Sequence, residues 1–151
     1  MLVWIIRHGK THQHSASGLD ADRELKPLGH RQAAYLGAEF AGRPDAPGVL
    51  IASPFVRAQE TALGIAAMTG LTVETHPALE SGQGPAGVLA LLRERALGPT
   101  VAVVGHNPEL SLVVEALAAA CPSGALRTGE AVGIEHDGSL GTVFEALRLA
   151  E

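Results

Sequence analysis

Three short stretches of this chain are apolar without a break: residues 2–6 (LVWII), 49–52 (VLIA) and 101–104 (VAVV). Each stops abruptly at polar or small residues. A strand with one face in water alternates apolar and polar side chains. Unbroken runs of four or five suit strands buried on both faces, as in a parallel sheet covered by helices. Few architectures meet that condition. Between the runs the period becomes helical. After Pro27, the residues Ala33, Leu36, Gly37 and Phe40 recur at i, i+3, i+4 and i+7 as one stripe. Ser53 and Pro54 read as a helix cap and first helical residue, and Ala58, Ala62 and Ile65 continue that helix to a stop at Gly70. Residues 71–75 alternate as a strand, and Val88, Leu91, Leu92 and Arg95 mark a short helix. Asn107, Pro108 and Glu109 read as a second capped start, with Leu112, Val113, Ala116, Leu117 and Ala120 as the apolar face. Two strand-like runs, 131–136 and 142–147, flank Asp137-Gly138 as a hairpin. The order β-α-β-α-β-α-β-α-β-β predicts an α/β three-layer sandwich, with a mostly parallel central sheet and a C-terminal β-hairpin. No repeat or linker divides it, so residues 1–151 are expected to form a single domain.

Hydrophobic residues make up 46% of the chain, enough to offset the ordering entropy, but only 3% are aromatic, so Ala, Leu, Val and Ile must build the core. Cys121 is the sole cysteine, which excludes an intramolecular disulfide or a zinc ribbon and suits a small buried hydrophobe. No basic region precedes the first apolar run, and no stretch approaches the roughly 20 apolar residues of a membrane span. A cytoplasmic location without a membrane partner is expected. Eleven Lys and Arg against 16 Asp and Glu give a net charge of −5. That balance argues against nucleic acid as a partner and, taken as an average, against an anionic substrate.

Parallel sheets bind ligands outside the carboxyl ends of their strands. Arg7, His8 and Gly9 follow the first run, and Ser53, Pro54 and Arg57 the second. Glu80 follows the third and Gly105-His106 the fourth. Two arginines and two histidines thus collect on one sheet edge. Guanidiniums offer forked donors to phosphate oxygens, and helix N-termini at Ser53 and Asn107 would add backbone donors. A neutral imidazole can attack phosphorus, and a protonated His106 could stabilise the charge that develops. The acidic average therefore conceals a local positive pocket.

Arg7-His8-Gly9, Ser53-Pro54-x-x-Arg57-Ala58-x-x-Thr61-Ala62 and Gly105-His106-Asn107 resemble, in order, the motifs of the histidine phosphatase (phosphoglycerate mutase-like) superfamily. Arg7-His8-Gly9-Lys10 and Asp22-x-x-Leu25-x-x-x-Gly29-x-x-Gln32-Ala33 are most similar to its short phosphohistidine phosphatases of the SixA type. The resemblance implies a phosphoglycerate mutase-like fold, His8 as nucleophile, and Arg7, Arg57 and His106 on the phosphoryl group. It implies no metal and no organic cofactor. Gly9 and Ser53 join as phosphate contacts, and Glu80 as the general acid that mutase-type members place after the third strand. Lys10 stands where mutases carry an acid and His14 where they carry asparagine, which points away from a mutase. The expected substrate is phosphohistidine in a protein, because the length leaves little for a lid over the site. Three other readings compete: a phosphatase for a small phosphorylated metabolite, a phosphate-binding module without turnover, and a metal hydrolase built on His8, His12 and His14. For His12 and His14 a solvated loop is the simpler account. The oligomeric state is left open.

Overall fold

A computed structural model describes residues 1–150. The elements run β1 (Leu2–Arg7), α1 (Pro27–Phe40), β2 (Val49–Ala52), α2 (Val56–Thr69), β3 (Val73–Thr75), α3 (Ala86–Glu94), β4 (Val101–Gly105), α4 (Glu109–Ala118), β5 (Ala131–His136) and β6 (Gly141–Leu147). This is the order expected from the pattern, with two short 3₁₀ turns added at Asp20–Asp22 and Pro77–Leu79. One six-stranded sheet runs β3-β2-β4-β1-β5-β6. β1, β2, β3 and β4 pair in parallel, while β5 runs antiparallel to both β1 and β6.

The unbroken apolar runs are explained by two cores. Alternate residues of the central strands face opposite ways. Trp4, Ile6, Leu50, Ala52, Ala102 and Val104 pack with Leu36, Phe40, Ala58, Ala62 and Ile65 of α1 and α2. Val3, Ile5, Ile51, Val101 and Val103 pack on the other face with Leu91, Leu92, Leu110, Val113 and Val114 of α3 and α4. Small residues set the spacing of the first layer. A Cβ on Gly64 would fall 2.7 Å from the Ala33 Cβ, so glycine there allows α1 and α2 to touch closely.

Three local expectations are corrected. The buried stripe of α4 is Leu110, Val113 and Val114, while Leu112 is 43% exposed and Ala116 and Ala120 face solvent. This helix is apolar nearly all round, so its period could not phase it. Ser111 is buried despite its hydroxyl, which donates to Asn107 Oδ1 (2.7 Å) and accepts from the Leu126 N–H (3.0 Å). Both helix starts fall later than Ser53 and Asn107, at Val56 and Glu109. Those two side chains are engaged elsewhere, as described below. The hairpin loop is longer than a two-residue Asp-Gly turn. The Asp137 Oδ1 accepts from the backbone N–H groups of Ser139 (2.9 Å) and Leu140 (2.8 Å), and the Asp137 N–H closes on the Leu140 carbonyl.

Two glycines tie the fold to the segment that follows β1. A Cβ on Gly9 would stand 2.7 Å from the Gly29 carbonyl oxygen, and one on Gly29 would overlap the Lys10 carbonyl. The N-terminus of α1 therefore rests directly on residues 9 and 10. The Lys26 N–H donates to the Lys10 carbonyl (2.8 Å), and the Lys10 N–H donates to Gln32 Oε1 (2.9 Å). Backbone cannot yield as a flexible side chain does, so Gly29→Ala is expected to destabilise the protein by about 1–3 kcal/mol. Urea unfolding of the two proteins, compared at equal slope, checks this.

Candidate active site

The three central strands β2, β4 and β1 end side by side, and their ladder continues beyond them. The His8 N–H donates to the Gly105 carbonyl (3.1 Å) and the Ser53 N–H to the Val104 carbonyl (2.9 Å). His8 and Ser53 are thereby fixed by sheet hydrogen bonds rather than by loose loops, and His106 directly follows β4. Both imidazoles are nearly sealed from water, at 6% exposure for His8 and 2% for His106, and their ring centroids stand 5.3 Å apart.

The His8 tautomer follows from its partner. Nδ1 lies 2.7 Å from the Gly9 carbonyl oxygen, which can only accept. The neutral ring must therefore carry its proton on Nδ1, leaving the Nε2 lone pair available. Burial pulls the His8 pKa down to about 4; the Gly9 hydrogen bond opposes the shift, and the charges of Arg57, Arg7 and Arg23 assist it. Burial pulls His106 down to about 3, with His8 and Arg57 adding to the effect. His106 Nε2 shares a 2.8 Å hydrogen bond with Ser53 Oγ, whose oxygen also accepts the Phe55 N–H at 3.1 Å. The expectation of a protonated His106 is thus corrected for the protein alone, since both rings are neutral at neutral pH. A dianionic phosphoryl group beside the ring would favour its protonation.

The arginines arrive by different routes. Arg7 ends β1, and its Nη1 donates to the Leu126 carbonyl (3.0 Å). Arg57 lies in the first turn of α2 and is 3% exposed. A cation there opposes the helix dipole unless an anion answers it. Asp20 supplies the anion: Arg57 Nη2 bonds its Oδ2 at 3.0 Å, and Nη1 bonds its backbone carbonyl at 2.7 Å. Arg23 Nε holds the other carboxylate oxygen at 2.8 Å. Among the described residues, the Nε groups of Arg7 and Arg57 and the Nδ1 of His106 are buried without a hydrogen-bond partner. All three residues line one cavity, and a deficit of this kind in a native structure calls for a group that repairs it.

That cavity, of about 370 Å³, is lined by residues including Arg7, His8, Arg57 and His106, with Lys10, Arg23 and Asp20 nearer the mouth. The structure thus brings together the four principal residues expected from sequence. Gly9, Ser53 and Glu80 do not line the cavity. The Gly9 N–H donates to Thr61 Oγ1 at 3.0 Å, so its backbone donor is engaged, and glycine is required by the contact with Gly29. Ser53 is wholly buried and orients His106. Glu80 closes the 3₁₀ turn at Pro77–Leu79, and the neighbouring Ser81 faces the cavity instead. At the N-terminus of α4 the Leu110 N–H donates to the His106 carbonyl (3.0 Å) and the Leu112 N–H to the Pro108 carbonyl (3.1 Å). Asn107 bonds the Leu126 carbonyl (2.7 Å), and the buried Glu109 carboxylate in the first turn accepts the Gly82 N–H (2.5 Å). His8, His12 and His14 form no metal-holding group: among the described residues, no three or more His, Cys, Asp or Glu side chains are so arranged.

Sequence reading missed Asp20 and Arg23. Both stand in a polar connection without period, and only the three-dimensional return of that loop over α2 brings them to Arg57. The sole available signal was a cation in the first turn of a helix, which demands an anion from somewhere.

A buried, neutral imidazole beneath two guanidiniums is an arrangement suited to phosphoryl transfer through histidine. The chain belongs to the histidine phosphatase superfamily (branch 1), whose sequence profile matches residues 3–81. It is thereby a hydrolase acting on phosphate esters by way of a histidine. Among solved structures it is similar to the protein histidine phosphatase SixA complexed with tungstate, with TM-score 0.85 and 22% identity over 98% of this chain and 97% of that one. A structure from Agrobacterium tumefaciens named for the phosphohistidine phosphatase SixA gives TM-score 0.86 and 22% identity over 99% and 98%. The alpha-ribazole phosphatase from Shigella flexneri gives 0.72 and 20% over 95% and 94%. Compared by sequence with curated proteins, the chain matches none. No helix among the described residues is long and apolar enough to cross a membrane.

Both imidazoles have folded pKa values below that of an unfolded histidine, about 6.5. Between about 6.5 and 4 the unfolded chain takes up protons that the folded chain does not. Stability from this source is therefore complete above about pH 6.5 and declines as pH falls toward 4. NMR titration of the ring resonances is expected to show His8 neutral and Nδ1-protonated at pH 5, with denaturant stability lower there than at pH 7.

Proposed function

We propose that this chain is a phosphohistidine phosphatase, which removes the phosphoryl group from a histidine of a protein by way of a phosphoryl group carried on His8. The observation that carries the reading is that, among the described residues lining the cavity, no carboxylic acid is held in its neutral form, ready to protonate a leaving oxygen. Among the described residues that line the cavity, Asp20 is the only one with a carboxyl side chain. Burial works against its ionisation, but the hydrogen bonds and charges of Arg57, and then of Arg23, outweigh that and hold the carboxyl below its usual range. His106 is neutral in the protein alone. A sugar or serine alkoxide leaves only when it receives a proton. Imidazole leaves as a neutral molecule, with a conjugate-acid pKa of about 6.5, when the phosphohistidine ring is already protonated on its other nitrogen.

In the first step the His8 Nε2 lone pair forms a bond to phosphorus while the P–N bond of the substrate, whose ring is protonated on its other nitrogen, breaks. That bonding pair stays on the departing ring nitrogen. Arg7, Arg57 and His106 stabilise the equatorial oxygens in this reading. In the second step water attacks phosphorus, the P–Nε2 pair returns to His8, and the water's surplus proton goes to phosphate or solvent. The Nδ1–H bond to Gly9 keeps the His8 ring orientation fixed in both steps.

The closing experiment measures kcat/KM on a phosphohistidine protein, an aryl phosphate, sugar phosphates and nucleotides under identical conditions. The phosphohistidine protein is expected to lead. A leading sugar phosphate would favour a small-metabolite phosphatase, and no turnover on any substrate would favour a binding module. His8→Ala should lower the aryl phosphate rate about a thousandfold or more. Glu80→Gln is expected to leave all rates near those of the parent, and dialysis against a strong chelator to leave them unchanged.

A further inference from the structure

A carboxylate in the wall of a phosphate-binding cavity needs a reason, because it repels the ligand's charge. Asp20 stands among four cationic side chains, Arg7, Lys10, Arg23 and Arg57, in the same lining. Its position is built rather than incidental. Each carboxylate oxygen is held by a different guanidinium, and its backbone carbonyl is held by Arg57 as well. Yet the Asp20 side chain is 59% exposed, against 3% for Arg57. The cavity therefore has a dry floor of imidazoles and guanidinium and an ionised carboxylate at its open side.

In-line displacement fixes where the leaving group stands. The nucleophile and the leaving atom lie on opposite sides of phosphorus. With His8 on the floor, the departing group points to the mouth. A phosphohistidine ring carries its second nitrogen on the side away from phosphorus, and when protonated that N–H is an acidic donor. Asp20 holds the two terminal nitrogens of the Arg57 guanidinium, whose buried Nε is without a partner among the described residues. We propose that Asp20 is a specificity-determining residue, whose carboxylate accepts the distal N–H of the substrate's phosphoimidazolium ring. This inference rests on the phosphohistidine reading and names the group that selects for it.

The chemistry balances without a further proton donor. The substrate ring enters with its distal nitrogen protonated. The P–N bonding pair moves to the proximal nitrogen as His8 Nε2 bonds phosphorus. The product is a neutral imidazole that still carries the N–H it brought. Asp20 gains no proton in this step; it favours the protonated ring, the form with the better leaving group. An alkyl or aryl phosphate has no such N–H, so for those substrates the carboxylate offers only repulsion.

The test compares the full-length protein with Asp20→Asn and Asp20→Glu, on a phosphohistidine peptide and on an aryl phosphate. Arg57 keeps its bond to the residue 20 backbone carbonyl in either variant, and unchanged thermal unfolding would show the fold intact. Asp20→Asn is expected to lower kcat/KM on the phosphohistidine peptide roughly 10- to 100-fold, the worth of one hydrogen bond to a charged group. The fall on the aryl phosphate is expected to be much smaller, so the ratio of the two changes. Asp20→Glu is expected to restore part of that ratio. Equal losses on both substrates would make Asp20 only a support for Arg57 and would overturn the inference, as would no loss on either. A parent protein that turns over the aryl phosphate but not the peptide would overturn the phosphohistidine reading itself, and this inference with it.

Discussion

Everything at the site depends on parallel pairing of β1 and β2 with β4 between them. Three strands that start together must also end together, and their ends deliver His8, Ser53 and His106 to one line across the sheet. Two backbone hydrogen bonds past the last strand residues hold that line. The apolar runs that force this pairing have no chemical role, yet they position the chemistry. Ile5, Ile6, Val103 and Val104 are buried on both faces of the sheet, and the runs end together where the chain turns polar at Arg7 and His106. The catalytic candidates inherit that rigidity, and their low exposure follows from it.

Low exposure then sets the electrostatics. A protein with a net charge of −5 places four cationic side chains and one carboxylate around a single cavity. Net charge governs solubility and long-range steering, whereas the ligand meets the local arrangement. Burial keeps both imidazoles neutral, which suits a nucleophile at His8. At His106 the same burial withholds charge until an anion approaches. The arginines behave differently because guanidinium stays protonated even when desolvated, and so they supply the standing positive charge.

The fold was legible because its signals were redundant. Two-sided burial, helical stripes and an Asp-Gly hairpin agreed on one order of elements, and no single error could change it. The four principal site residues were legible for the same reason: each directly follows a strand or occupies a first helical turn. Legibility failed where one local rule acted alone. Ser53 and Asn107 look like helix caps, but the Ser53 backbone continues the β ladder and its hydroxyl meets His106, while Asn107 is bonded to Leu126. The α4 stripe failed because an almost uniformly apolar helix has no phase to read. Glu80 was placed by family pattern and strand end, whereas the 3₁₀ turn at Pro77–Leu79 presents Ser81 to the cavity. Asp20 was invisible because nothing in a polar loop specifies what it folds onto.

Asp20 links the two halves of the chemistry. An arginine in the first turn of a helix is destabilised by the dipole, and the 3₁₀ turn at Asp20–Asp22 answers it with a carboxylate. That pairing stabilises the cation that the proposed reading places on the phosphoryl group. The same pairing keeps the carboxylate ionised, which removes it as a proton donor to a leaving alkoxide. In the proposed reading, a contact that fits the fold also narrows the substrate: the one carboxyl among the described residues lining the cavity is held as its anion, which disfavours leaving groups that need a proton and favours one that brings its own. In that proposal the selection comes from the charge state of one loop residue, set by two arginines, rather than from the shape of the cavity.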